Sequence, residues 1–361
     1  MKLKDSSINR ERIKKLQQQL KSMKADACLI DHPLNLFYLT GLKLSKGELI
    51  VGKKNCHLYI DGRYIQAAKE GAPVPSSLFD KDAQEKFYKK EKVKSLAIDS
   101  ENTSHAQFLK WQAFARKMKI RLIPVPNPIK LLRAIKDSSE LHKLRKSAHH
   151  LWLAFEHIKH LIKPGVSEAE VALEFKLFGL KNGAESIGFE PIIAFGSNSA
   201  LPHHRSGPTK FKNGDLALLD LGLVVEGYHS DMTRVLLFDA VEPVLKEFYT
   251  VVRKAHDAAL KLCRPGVLLK ELDMAARKEM KKENLESYFV HGLGHGVGLE
   301  IHEFPRIMKT GEDKDVALEK GMVVTIEPGL YLPGKGGVRW EDTIIITSTG
   351  YENLYPEGTG A

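Results

Sequence analysis

"LLDLGLVVEGYHSDMTR", residues 218–234, decides how this chain is read. An apolar run carries Asp220 where the strand should stay buried, and after a reversal the chain returns with a second acid, Asp231. An isolated buried carboxylate is costly unless it is paired or holds a metal. The pattern recurs in "MVVTIEPGL" (322–330), where Glu327 ends an apolar run and Gly329 follows it as Gly222 follows Asp220. It continues in "WEDTI" (340–344), where Thr343 stands two residues after Glu341, as Thr233 stands after Asp231. Upstream, "IKPGVSEAEVALEFKLFGLKNGAES" resembles "CRPGVLLKELDMAARKEMKKENLES", with Pro-Gly-Val at 164–166 and again at 265–267. The chain thus contains a weak internal repeat. Each copy supplies one carboxylate at a strand end and one on the returning strand, and the period-two alternation of a strand lets it present an acid inward.

Four acids on apolar strands cannot lie together unpaired, because like charges at contact force several to stay protonated. A cation removes the difficulty. Oxygen-rich ligation favours ions such as Mn²⁺, while imidazole suits Zn, Fe or Co. The imidazole is expected from "VHGLGHGVGLEIHE" (290–303), which holds His291, His295 and His302 among glycines that let the backbone approach closely and turn freely. Four carboxylates and an imidazole are too many for one small ion with an open position. They suit two ions sharing bridging carboxylates, an arrangement that holds and activates a hydroxide. Alone, each segment has a plainer reading: a turn aspartate, a glycine-rich turn, a hairpin with a salt bridge. Their order and their match across the repeat join them into one site.

Composition excludes other classes. The chain has 361 residues, 43% hydrophobic, which exceeds one typical domain and predicts two. No apolar run approaches the ~20 residues needed to span a bilayer, and "MKLKDSSINRERIKKLQQQL" has no apolar core of a secretory signal. Cys28, Cys56 and Cys263 are far apart and form no CxxC pair, which suits a reducing cytoplasm. The net charge of +10 is spread along the chain and interleaved with acids, without a nucleic-acid recognition motif. It reads as a solvated lysine-rich surface, so neither nucleic acid nor membrane is an expected partner.

Along the chain, Ile13, Leu16, Leu20 and Met23 predict an amphipathic helix over 8–24. "DACLIDH" and "GELIVG" read as short buried strands, "CHLYIDGRY" as the second arm of a hairpin, "HAQFLKWQAFARKM" as a helix and "IRLIPV" as a closing strand. This alternation predicts a small α/β domain. Pro124, Pro126 and Pro128 forbid a regular helix, so the boundary is expected after residue 126, with the second domain over 127–361. That domain opens with a long helix capped by Asp137 or Ser138, with Glu140 in its first turn.

The second part resembles the pita-bread metallopeptidases, which include aminopeptidase P, prolidase, methionine aminopeptidase and creatinase. The resemblance covers about residues 138–361, where Asp220, Asp231, His295, Glu327 and Glu341 match all five family ligand positions. It implies that Asp220 chelates one ion, that His295 and Glu327 hold the other, and that Asp231 and Glu341 bridge. "RIKKLQQQLKSMKADACLIDHPLNLFYLTGL" is similar to the start of the creatinase-like N-terminal domain. "SNSALPHHRSG" resembles a segment of the Xaa-Pro peptidases, with His203 at the position of their catalytic histidine; His204 sits where aromatic or other residues occur in relatives and receives no role. "HGLGHGVGLEIHE" and "GVRWED" place His291, His302 and Arg339 at substrate-contact positions. Fold, site and function are therefore expected as an α/β N-terminal domain before a pseudo-twofold pita-bread domain, with two divalent ions, Mn before Co or Zn. His203, His302 and Glu327 would be catalytic, and His291 and Arg339 would bind substrate. The resemblance further implies a homodimer. The activity expected first is that of an Xaa-Pro aminopeptidase acting on longer peptides. The alternatives are a strict Xaa-Pro dipeptidase, a creatinase-type amidinohydrolase, and a non-enzymatic binding protein on the same fold.

Overall fold

The computed structural model describes residues 2–238 and 240–356, with side chains from Ser7 onward. The chain forms two compact units, residues 1–133 and 134–361. The division falls after Arg133, within the short helix Lys130–Ala134, rather than after residue 126.

The first unit is built on a six-stranded mixed sheet. Its strands run in the order Ser76–Leu78, Cys56–Ile60, Gly47–Gly52, Ala27–Ile30, Ser95–Asp99, Arg121–Val125. The expected hairpin is present, with Leu49 opposite Leu58. Helix Lys2–Gln19 buries Ile13 and Leu16, and Leu20 is buried in the turn beyond it; Met23, expected on the same face, is only half-buried after the helix has ended. Helix His105–Met118 begins where Ser104 accepts a hydrogen bond from the Gln107 N–H, a side-chain cap. Strand Ser76–Leu78 and helices Ile65–Gly71 and Lys81–Lys90 were not foreseen, since polar residues and lysines break the apolar periodicity there.

In the second unit the repeat becomes visible as structure. Helix Ser138–Lys159 is capped by Asp137 in a capping box with Glu140. The two Pro-Gly-Val turns then match in conformation and in the helix caps that follow them. Gly165 (φ +97°) and Gly266 (φ +90°) both adopt the left-handed conformation, which explains a glycine at each turn. Each starts a helix, Glu168–Lys181 and Leu269–Lys282, whose third residue, Glu170 or Glu271, accepts the N–H of the cap, Ser167 or Leu268. Each helix is followed by an antiparallel sheet. The first sheet has Ala217–Leu221 between Ile192–Phe195 and Met232–Leu236. The second contains Gly294–Gly296, Val323–Ile326 and Asp342–Ile346 in adjacent positions. Two buried apolar clusters lie behind these sheets, one including Phe175, Ile193 and Leu219, the other Phe248, Val324 and Ile344. The acids sit at matched places. Asp231 and Glu341 each immediately precede a strand, Glu327 immediately follows one, and Asp220 is the penultimate residue of its own. No described helix is long and apolar enough to cross a membrane.

Candidate metal centre

Strand register brings the four acids together. Asp220 pairs with Thr233 across the first sheet, and Thr233 forms a bridge to Glu341 of the second half, so three neighbouring chain segments converge. Asp231, His295 and Glu341 each place a ligand atom within 4.8 Å of the other two. Glu327 joins them, with Oε1 3.3 Å from His295 Nε2, and Asp231 Oδ2 lies 3.6 Å from the same nitrogen. His295 Nδ1 is 3.1 Å from the Gly296 carbonyl oxygen and donates to it, which leaves Nε2 as the nitrogen that would ligate a cation. Asp220 turns Oδ2 to the Arg339 guanidinium, while its Oδ1 is buried with no hydrogen-bond partner.

Polar side chains from one half hold the acids of the other. The Thr233 hydroxyl donates to Glu341 Oε2 (2.7 Å), and the Thr343 hydroxyl donates to the Asp231 carbonyl (2.8 Å). The threonines matched in the sequence repeat are therefore reciprocal cross-links, a role the sequence did not reveal. Thr325 Oγ1 accepts the His295 N–H and donates to Glu327 Oε1, and the Tyr355 hydroxyl accepts the Asp231 N–H.

The electrostatics are unfavourable without a cation. Burial, then the neighbouring carboxylates, pushes Asp231 and Glu341 well above the ordinary carboxylate range. Burial also raises Asp220 despite Arg339 beside it. Burial would raise Glu327 too, but the His295 hydrogen bond and the charges of His295, His291 and Arg339 hold it near 2. An orphaned carboxylate oxygen, protonation forced on neighbouring acids and one oriented imidazole make a donor set that fits divalent cations.

The remaining expected residues surround this cluster. The His302 ring stands edge-on to His295, 4.2 Å between centroids, and burial followed by the charge of His295 lowers its pKa to about 4. His203 is exposed on the loop after the turn Gly196–Ala200, near enough for its charge to act on His302. His291 Nε2 lies 2.9 Å from the Tyr331 hydroxyl, and its carbonyl accepts from Arg277 (2.7 Å). Arg339 departs from expectation. It is 3% exposed, and its donors go to Thr233 Oγ1, the Tyr331 hydroxyl and Asp220 Oδ2, which turns the guanidinium toward protein rather than open space. Tyr331 and Thr325 had no sequence signal of their own, being ordinary strand residues.

The glycines of "HGLGHGVG" serve close approach. None of Gly292, Gly294, Gly296 and Gly298 has a positive φ, so the conformational freedom expected of them is not used. A Cβ on Gly294 would lie 2.1 Å from the Thr325 carbonyl oxygen, and one on Gly296 2.4 Å from that of Phe304.

Residues 142–348 match Metallopeptidase family M24, and residues 12–135 match the Creatinase/Prolidase N-terminal domain. The chain belongs to the M24 metallopeptidase family, whose members use divalent metal ions. Its relatives include both Xaa-Pro dipeptidases and an X-Pro aminopeptidase. It is 36% identical over 350 residues to the Xaa-Pro dipeptidase of Pyrococcus horikoshii, covering 96% of this chain and 97% of that one. The structure of an Xaa-Pro dipeptidase from Bacillus anthracis superposes with a TM-score of 0.91 at 33% identity, covering 97% and 99% of the two chains. That of an X-Pro aminopeptidase from Thermotoga maritima superposes at 0.84 with 29% identity, covering 94% and 99%.

Two outcomes follow from this geometry. Asp231 and Glu341 have raised native pKa values, so in chelator-treated protein they stabilise the fold when protonated. That contribution is full below the ordinary carboxylate range and is lost as pH climbs through the raised values. Thermal melts with EDTA should therefore fall as pH rises, and added Mn²⁺ should raise the melting temperature most at the higher pH. Gly294→Ala should cost about 1–3 kcal/mol, as overpacking does, and should lower metal content, because the clash pushes on the strand carrying His295. Unchanged metal content in that variant would show that the strand does not fix His295.

Proposed function

We propose that this chain is a metallo-exopeptidase that hydrolyses the bond between an N-terminal residue and a following proline, with Xaa-Pro dipeptides as its preferred substrates. The observation that carries the reading is the largely buried set of four carboxylates and one imidazole assembled from both halves of the second unit. Asp220 would hold one divalent ion, His295 and Glu327 the other, and Asp231 and Glu341 both. Oxygen-rich donors favour Mn²⁺, with Co²⁺ or Zn²⁺ as alternatives. When bound, such ions polarise the scissile carbonyl and acidify the attacking water.

The chain's own groups do the rest. Glu327, as a carboxylate, would accept the proton of the attacking water and return it to the departing proline nitrogen. His203 and His302 would donate hydrogen bonds to the oxygen that gains charge as the carbonyl carbon becomes tetrahedral. An Xaa-Pro bond carries no N–H, so the site can pack a proline ring where another peptide would leave a donor unsatisfied. His291 would line the proline side.

The preference for dipeptides replaces the preference for longer peptides drawn from the sequence. The names of the relatives support it, since Xaa-Pro dipeptidases match nearly the whole chain. A second support is Arg306, which sequence reasoning passed over. Arg306 pairs directly with His295 across antiparallel strands, so the two side chains leave the same face of the sheet. It is exposed, and its charge acts on His302. It is thus better disposed than Arg339 to clamp the terminal carboxylate of a dipeptide, a task suited to a guanidinium fork. Arg339 would instead orient Asp220. Free thiols at Cys28, Cys56 and Cys263 suit a cytoplasmic enzyme, and a homodimer is the assembly we expect.

Elemental analysis of saturated protein should approach two ions per chain, and Asp231→Asn should lower occupancy and abolish turnover; full activity in that variant would end the dinuclear reading. Ala-Pro should be cut faster than Ala-Pro-Ala. Arg306→Ala should raise KM for Ala-Pro by roughly 10–100-fold, the value of a charged hydrogen bond, and affect the tripeptide less. Faster cleavage of the tripeptide would restore the aminopeptidase reading.

A further inference from the structure

His204, which the sequence left without a role, leads to a second buried acid. Glu168 lies in the first turn of helix Glu168–Lys181 and is fully buried. Both its oxygens are saturated. Oε1 accepts from the Phe195 N–H (2.9 Å) and the Asn198 amide (2.8 Å), while Oε2 faces His204 Nε2 (2.8 Å) and accepts the Gly207 N–H (3.1 Å). The helix backbone adds two bonds to the same loop, Glu168 N–H to the Thr209 carbonyl and Ala169 N–H to that of Gly207. One carboxylate therefore ties the end of a core strand, the turn after it and the segment that directly follows His203.

His203 itself is exposed, and its neighbour His204 is turned inward onto Glu168 with a side chain only 12% exposed. Where His203 points is set by the loop rather than by packing of its own ring. We propose that Glu168, acting through His204 and the Gly207 N–H, is the positioning residue for His203. This inference rests on the reading of His203 as a catalytic group. A glutamate is required because four donors converge on it. Glutamine would present its amide N–H groups to two of them, whichever way it flips. Orientation errors of this size at a group that stabilises a transition state lower turnover rather than binding.

The test is a double-mutant cycle on metal-saturated enzyme with Ala-Pro as substrate. His203→Ala should lower kcat by roughly 10²-fold, as removal of one transition-state hydrogen bond does. Glu168→Gln should lower kcat by roughly 10-fold or more, with KM and metal content held. The double variant should be no slower than His203→Ala alone, because both changes remove the same contribution. His204→Gln keeps a side-chain amide donor and should retain most of the activity that His204→Ala loses; that pair also serves if Glu168→Gln fails to fold. Glu170→Ala, which removes only the helix cap, should lower the melting temperature and leave kcat unchanged. Full activity in His203→Ala would overturn the role of His203 and this inference with it. Loss in His203→Ala with full activity in Glu168→Gln, or multiplied losses in the double variant, would overturn the inference alone.

Discussion

Carboxylates of like charge, drawn out of water into one small volume, govern the second unit of this protein. Asp220, Asp231, Glu327 and Glu341 repel one another, and burial denies them the solvent that would screen them. Much of the surrounding detail answers that repulsion. Arg339 leans on Asp220, and Thr233 gives its hydroxyl to Glu341. One layer further out, Arg234 donates to the Glu341 carbonyl and to Asp342 Oδ1, both at 2.6 Å, while Trp340 is flanked by the guanidinium groups of Arg234 and Arg253 at 4.4 and 3.9 Å. Buried ion pairs of this kind add little net stability against an apolar replacement. Their effect here is geometric, since they fix the start of the strand that carries Glu341.

Asp231 and His295 show what sequence makes legible. A charged residue inside an apolar run, repeated at matched intervals, is a local signal, and so is a histidine among glycines. Both halves of the fold could be outlined from such signals, and the helices His105–Met118 and Ser138–Lys159 follow their apolar spacing and caps. What escaped depends on register. Arg306 is eleven residues from His295 in the chain, and only the pairing of their two strands sets them side by side. Glu168 looks like a first-turn helix acid, a commonplace position, until the fold folds a distant loop onto it. Arg339 shows a different limit. The motif gave its neighbourhood correctly, but not the direction of its guanidinium, which is decided by Tyr331 on the facing strand of a hairpin.

The two threonine hydroxyls that cross between the halves have a consequence for how the enzyme comes into being. During synthesis the chain leaves the ribosome from its N-terminus, and domains fold as they emerge. Asp220 and Asp231 are exposed to the cell's ion pool long before His295 and Glu327 exist, and Glu341 follows last of all. Until then the two aspartates lack both the imidazole and the Thr343 tether. The donor set is therefore complete only in the finished chain, once the Thr233 and Thr343 hydroxyls have joined its two halves.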